Sequence, residues 1–225
     1  AIARALAPEP RDDDGEEQAP DEETVLRVEP IQRRCQELHV VCEEERLLGP
    51  HVGSRLLRRS WTAELLVMGR GSERRPTEVG ATTSFLLSEL VTPTMVCARQ
   101  YVEVRNVLVP YKLSVAGGRA LTFAARLCET LNSSLHVQVC EPRRLEADEA
   151  VAGVTRHLRA YHVESSVAVS PAPPYEVVHT VAVEREASLI IIPSAHKRYY
   201  VFPWQRNQTL GRALDVPGTV VLAYP

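Results

Sequence analysis

Short runs of apolar, β-branched residues alternate with longer segments whose apolar positions recur every three to four residues, most clearly from Asn106 onward. Asn106 to Val109 (NVLV), stopped by Pro110, reads as a buried strand. Val115 to Leu131 places Ala116, Ala120, Phe123, Ala124, Leu127 and Leu131 on one helical face. A strand from Leu135 to Cys140 and a helix from Glu146 to Tyr161 follow. Next come a short strand, Val167 to Val169, and a helix from about Tyr175 to Glu186. Leu189 to Ile192 is the most apolar strand; a helix near Thr209 to Leu214 and a strand from Thr219 to Ala223 close the chain. The order βαβαβαβαβ predicts a parallel sheet with right-handed crossovers and helices on both faces, a doubly wound α/β domain.

The pattern occurs twice. Pro50 in LGPHV answers Pro174 in APPYE, Ala63 in AELLVMG answers Ala187 in ASLIIIP, and Pro93 in VTPTMVCA answers Pro217 in VPGTVVLA, each at a separation of 124 residues. Three anchors at one offset predict two repeats of one unit, over residues 1–100 and 101–225. In the first repeat the pattern runs as a helix from Glu23 through Leu38, a strand His39 to Cys42, a helix His51 to Ser60, and a strand Leu65 to Met68. A helix Thr82 to Leu90 and a strand Thr94 to Ala98 complete it. Its beginning is incomplete. The counterpart of Asn106 would fall before Ala1, and Ala1 to Ala7 lands on the end of the first helix. The counterpart of the second strand is Arg11-Asp12-Asp13-Asp14-Gly15-Glu16, which cannot form a buried parallel strand. Either this repeat has lost its initial strands, or the chain is a portion of a longer polypeptide. The closing strands, both edges by topology, are expected to pair with each other and join the repeats as a pseudo-dimer.

Charge sharpens this picture. Of 225 residues, 44% are hydrophobic and 24% charged, the composition of an ordinary globular chain, and the formal net charge is −3. Nine carboxylates against Arg11 alone give Glu9 to Glu23 a local charge of −8 and leave +5 for the remainder. That stretch is expected to be exposed and disordered. The mild positive excess forms no basic stripe with interleaved aromatics, which argues against a nucleic-acid partner. No apolar run approaches the roughly 18 residues of a membrane span. The five cysteines contain no CxxC and fit a reducing compartment better than a disulfide framework. His157 and His162 are five apart and share no face in the manner of a metal pair, so no metal is expected. With neither a GxSxG elbow nor a G-x4-GK-[ST] loop, no catalytic residue stands out and enzyme activity is not expected.

Three segments together carry a family likeness: NVLVP followed by a small-residue turn and an alanine-rich helix, AELLVMGRGS, and the closing VTPTMVCA or VPGTVVLA. Over essentially all of the second repeat and the later two-thirds of the first, the chain resembles the universal stress protein family. The resemblance implies five-stranded parallel sheets of order 3-2-1-4-5, with a nucleotide crevice at the carboxyl ends of the strands. ATP-binding members place an Asp after strand one and a G-x2-G-x9-G loop, followed by Ser or Thr, after strand four. Here Lys112 stands where the Asp belongs. The second repeat's loop opens with Pro193-Ser194-Ala195-His196, and Asn207-Gln208 replaces the last Gly-Ser pair. The first repeat keeps Gly69, Gly71 and Gly80, spaced G-x-G-x8-G and followed by Ala81 and Thr82. The candidate cofactor-binding residues are therefore Gly69, Gly71, Gly80, Lys112 and His196, with an adenine nucleotide such as ATP as the ligand implied.

Lys112, His196, Lys197 and Arg198 fall at the same predicted end of the sheet, as an anion pocket or as a solvated rim. The aromatic loop Lys197 to Gln208, carrying Tyr199, Tyr200, Phe202 and Trp204, reads as a contact surface or as a cover for its own crevice. The resemblance implies a non-catalytic regulatory or sensory module that acts through protein contacts, with ATP binding weak or absent. Its partner would be another protein or a second copy, met through the last strand of each repeat. Two alternatives stand beside it. One is the cytosolic C-terminal regulatory domain of a cation/proton antiporter or amino-acid transporter, with the membrane part in the same polypeptide. The other is an ATP-binding stress protein. The expected location is the cytoplasm, or the cytosolic face of a membrane.

Overall fold

Strands that are apolar on both faces need helices on both faces, and the arrangement follows from that demand. The computed structural model describes residues 2–5, 31–44, 52–70, 79–98, 100–193 and 208–225. The acidic stretch Glu9 to Glu23 and the aromatic loop up to Asn207 lie outside the described residues. The chain divides into two compact units, 1–55 and 56–225.

In the first unit, β1 (Ile2–Ala5) pairs in parallel with β2 (Val41–Glu44), Ile2 opposite Val41. Helix α1 covers 31–37. It ends where His39 turns to φ 53° and the Val40 N–H donates to the Cys35 carbonyl at 2.8 Å. The segment Ala1 to Ala7 was expected to close a helix, and this is corrected: Ile2–Ala5 is a strand. Alanine is the strongest helix former, but propensity over so few residues is a weak constraint, and a registered neighbour overrides it. Ile2–Ala5 thus fills, beside β2, the second-strand position that the repeat offset had put at 11–16.

The second unit begins within α2 (Val52–Ser60). Strand β3 (Leu66–Met68), helix α3 (Ala81–Ser88) and strand β4 (Thr94–Val96) follow. Then come β5 (Asn106–Tyr111), α4 (Val115–Leu131), β6 (Ser134–Cys140), α5 (Arg144–Leu158) and β7 (Ser165–Ser170). Helix α6 (Pro174–Glu184), β8 (Leu189–Pro193), α7 (Gln208–Leu214) and β9 (Val220–Tyr224) end the chain. The seven strands form one sheet in the order β3-β4-β9-β8-β5-β6-β7. Among the strands after residue 100, this is the expected 3-2-1-4-5. All pairs are parallel except β4–β9, which is antiparallel with Thr94 opposite Ala223 and Val96 opposite Val221. The two closing strands therefore pair with each other inside the chain.

Successive side chains of one strand serve opposite faces. Val107, Val109, Leu135 and Val137 pack with Ala120, Ala124, Val154 and Leu158 of α4 and α5. Leu108, Ile190, Ile192 and Val221 pack with Val178, Ala182, Leu210 and Ala213 of α6 and α7. One boundary differs in an informative way. β5 does not stop at Pro110 but continues through it to Tyr111. Its rungs to β8 end at Leu108, whereas those to β6 run on to Tyr111, so the proline sits where one side of the strand no longer needs a donor.

Candidate functional site

The carboxyl ends of β5 and β6 meet the first turn of α4, and this junction is closely tied. Ser114 caps α4: its backbone is extended and its Oγ accepts the Gly117 N–H at 3.0 Å. The Ser114 hydroxyl in turn donates to the Lys112 carbonyl at 3.3 Å. A Cβ on Gly117 would lie 2.2 Å from that same carbonyl oxygen, so only glycine lets the helix start so near the strand end. The Leu113 N–H donates to Glu141 Oε1 at 2.7 Å. Glu141, the first residue after β6, is only 6% exposed, and its own N–H donates to the Ser170 carbonyl at 3.2 Å.

This carboxylate colours its surroundings. Burial, and behind it Glu141, pushes the Tyr111 phenol above its ordinary value. Burial and then Glu141 push the Cys140 thiol up to about 12, against the opposing charge of Lys112. Lys112 itself is exposed. Among the described residues, the candidate crevice thus holds the exposed Lys112 and the buried Glu141 carboxyl group, and the N–H groups of Leu113 and Gly117 already have acceptors.

In the other part of the sheet, Gly69 follows β3 and its carbonyl accepts the Thr83 hydroxyl at 3.2 Å. Gly80 is the N-cap of α3 at φ −62° and ψ 157°, a conformation open to any residue. Its N–H donates to the Arg70 carbonyl at 2.7 Å and its carbonyl accepts the Ser84 N–H at 2.9 Å. Gly71 and His196 lie outside the described residues. The structure therefore places Gly69 and Gly80 at the two ends of the β3–α3 connection and Lys112 at the end of β5.

Beside α4 opens a cavity of about 610 Å³, lined among others by Tyr111, Arg119, Thr122, Arg126, His157 and Tyr224. Arg119 and Arg126 are exposed on one helical face, and Thr122 between them has its Oγ1 3.1 Å from His157 Nε2. Phe123 and Tyr224 form a tilted ring pair with centroids 5.1 Å apart. Among the described residues, no group of three or more His, Cys, Asp or Glu side chains is placed to hold a metal ion. No described helix is long and apolar enough to cross a membrane.

Sequence reasoning missed Glu141 and Ser114. The signal for Glu141 was a carboxylate directly after an apolar strand, at the end where a doubly wound sheet binds its ligands. The signal for Ser114 was a Ser three residues before a glycine at a helix start.

No protein-family model matches the chain, and no curated protein matches its sequence. Solved structures do match its fold. A universal stress protein from Archaeoglobus fulgidus DSM 4304 superposes with a TM-score of 0.66 at 17% identity, covering 90% of this chain and 77% of that one. A Pseudomonas aeruginosa UCBPP-PA14 protein described as a universal stress protein gives 0.67 at 13% identity, over 92% and 79%. A protein of unknown function from Pseudomonas aeruginosa PAO1 gives 0.66 at 12% identity, over the same 92% and 79%. At such identities the likeness is one of architecture, and it agrees with the strand order: this chain has the universal stress protein fold.

Proposed function

We propose that the chain is a non-catalytic regulatory module that acts through protein contacts. It is built as two repeats, 1–100 and 101–225, and the second repeat's crevice does not hold ATP in the family manner. One observation carries this reading: the Glu141 carboxylate, buried at the mouth of that crevice, accepts the Leu113 N–H at 2.7 Å. A phosphate cradle relies on several unspent N–H donors and a positive local field. Here the loop after β8, where the family's cradle lies, opens with Pro193, which has no N–H to give, and in the neighbouring β5–α4 turn the Leu113 and Gly117 N–H groups are already accepted by Glu141 and Ser114. Each lost charge-assisted bond is worth roughly 1.5–3 kcal/mol. Two such losses weaken binding about a hundredfold or more.

Lys112 supplies the cation of this crevice, and His196 is its proposed companion on the loop after β8. In the first repeat Gly69, Gly71 and Gly80 are the candidate phosphate loop, although the Gly80 N–H is already given to the Arg70 carbonyl. Calorimetric titration of the full chain with ATP, adenosine and cyclic dinucleotides tests the proposal. The expected result is no micromolar ATP binding. Micromolar binding abolished by Lys112→Ala or His196→Ala would overturn it.

A further inference from the structure

Helix α4 turns one face, with Ala120, Ala124 and Cys128, to the sheet. Val115, Arg119, Thr122 and Arg126 recur three or four residues apart and share another face. These four line the cavity of about 610 Å³ beside α4, and Gly153 and His157 line it from α5. Its volume falls within the roughly 300–1,000 Å³ of small-molecule sites. Lys112 and Glu141 are not among its described lining residues, so it is a place distinct from the candidate crevice.

Bare backbone makes the room. A Cβ on Gly118 or on Gly153, which both line the cavity, would meet nothing within 4 Å. Between them, the Thr122 hydroxyl donates to the Gly118 carbonyl at 3.0 Å. With that proton committed, His157 Nε2, 3.1 Å from Thr122 Oγ1, takes the donor's role and ties α5 to α4. The His157 ring also meets the Tyr161 ring, with centroids 5.4 Å apart. Tyr111, Phe123 and Tyr224 add aromatic surface to the lining.

Charge decides what fits there. Arg119 and Arg126 stand seven residues apart, roughly 10 Å along the helix axis, with Thr122 one turn from each. Both are exposed, and among the described residues neither guanidinium has a hydrogen-bond or ion-pair partner. The one carboxylate of α4, Glu129, accepts the His162 N–H at 2.9 Å and lies 3.4 Å from His162 Nδ1. Asp148 and Glu149, the carboxylates nearest before Gly153 on α5, do not line the cavity. Two uncompensated cations thus flank an apolar and aromatic surface. The guanidinium fork matches a carboxylate or a phosphate, and a flat apolar body matches the rest.

We propose that the cavity beside α4 binds an organic anion, its carboxylate or phosphate held by Arg119 and Arg126 and its flat apolar body lying over Gly118 and Gly153. The site goes beyond the regulatory reading above and stands whether or not the crevice binds ATP.

Titration of the ¹⁵N-labelled full chain, followed by its amide NMR signals, tests this. The probes are 1-naphthoate, 1-naphthyl phosphate, the neutral 1-naphthalenemethanol and inorganic phosphate. At least one naphthyl anion is expected to shift the Gly118 and Gly153 amides saturably, and the tighter of the two identifies the acid group. Gly211 of α7, on the other face of the sheet, should not move. The alcohol and inorganic phosphate should each bind at least tenfold more weakly. Arg119→Gln with Arg126→Gln, at exposed positions, should weaken the anion at least tenfold. Gly153→Leu should abolish its binding by filling the cavity; if that variant fails to fold, as read by circular dichroism, the arginine pair still decides. The proposal is overturned if neither anion saturates these amides, or if the alcohol or inorganic phosphate binds as tightly. Undiminished binding by the arginine variant, or by a folded Gly153→Leu, overturns it too. Shifts confined to Lys112 and Leu113 would move the ligand into the crevice and overturn it likewise, a result that bears on the crevice reading separately.

Discussion

The Glu141 carboxylate accepts the Leu113 N–H at 2.7 Å, joining the end of β6 to the turn that starts α4. A hydrogen bond to a charged acceptor contributes about 1.5–3 kcal/mol, less where the part-buried donor can turn to water, whereas a neutral acceptor in the same place keeps most of the bond. Glu141→Ala is therefore expected to lower unfolding free energy by about 1–3 kcal/mol, and Glu141→Gln by under about 1 kcal/mol. Urea unfolding of the three proteins measures the difference. Equal losses in both variants would show that the charge, and not the hydrogen bond, is what the turn uses.

Gly117 and Gly153 give opposite expectations for the same substitution. Both lie in helices, where alanine is favoured over glycine by about 1 kcal/mol. A Cβ at Gly153 meets nothing within 4 Å, so Gly153→Ala should stabilise by about 0.5–1 kcal/mol. A Cβ at Gly117 would stand 2.2 Å from the Lys112 carbonyl oxygen, with Ser114 Oγ and the Tyr111 ring also in reach. Backbone on one side and a cap on the other leave little room to give. Gly117→Ala is expected to destabilise by about 1–3 kcal/mol, the scale of overpacking. Thermal melts of the two variants should move in opposite directions.

How far the sequence reveals this depends on where burial is complete. From Asn106 onward, apolar runs buried on both faces leave one arrangement that satisfies them, and α4 falls on its expected range of Val115–Leu131. The pairing of Thr94–Val96 with Val220–Tyr224 is legible for the same reason, since two apolar edges have each other as cover. Ile2–Ala5 is not legible, because four residues carry no period and their strand exists only through β2. The candidate site is legible only in part. Lys112 is visible as a departure from a pattern, but Glu141 gains its meaning from a turn 28 residues away.

Two thiols report on the packing of the second unit. Cys128 and Cys140 are at most 1% exposed, and burial pushes each up to about 12. The thiolate is the reactive form, so both should resist alkylation at pH 8 in the folded chain and react on unfolding. The sign of the pH effect follows from linkage. A folded value of about 12, above the ordinary 9.0, gives a contribution that is whole below pH 9 and lost as pH rises toward 12. The urea midpoint of the parent chain should therefore fall more steeply above pH 9 than that of Cys128→Ala. Mass spectrometry after brief iodoacetamide treatment checks the first expectation, and unfolding at pH 8 and 10 the second.

His136 carries the opposite sign. It lies in β6 at 7% exposure, with Nδ1 2.8 Å from the Ser166 hydroxyl, and among the described residues its buried Nε2 has no hydrogen-bond partner. Burial holds the imidazole below its ordinary value, the Arg185 guanidinium adds to that, and Gln138 opposes both. A group depressed on folding adds stability above its unfolded value, and that stability is lost as pH falls. The neutral ring therefore supports the fold above about pH 6.5. Below that the unfolded chain takes up a proton that the folded chain resists, and stability declines toward pH 5. His136→Gln removes the proton site while keeping a polar group for Ser166. Its urea midpoint should be lower at pH 7.5, because the packing of the ring is lost, but should change less between pH 7.5 and 5. Arg185→Gln, at an exposed position, removes one of the two causes and should reduce the acid decline without the loss at pH 7.5. Parallel slopes for all three proteins across this range would remove His136 from any account of acid sensitivity.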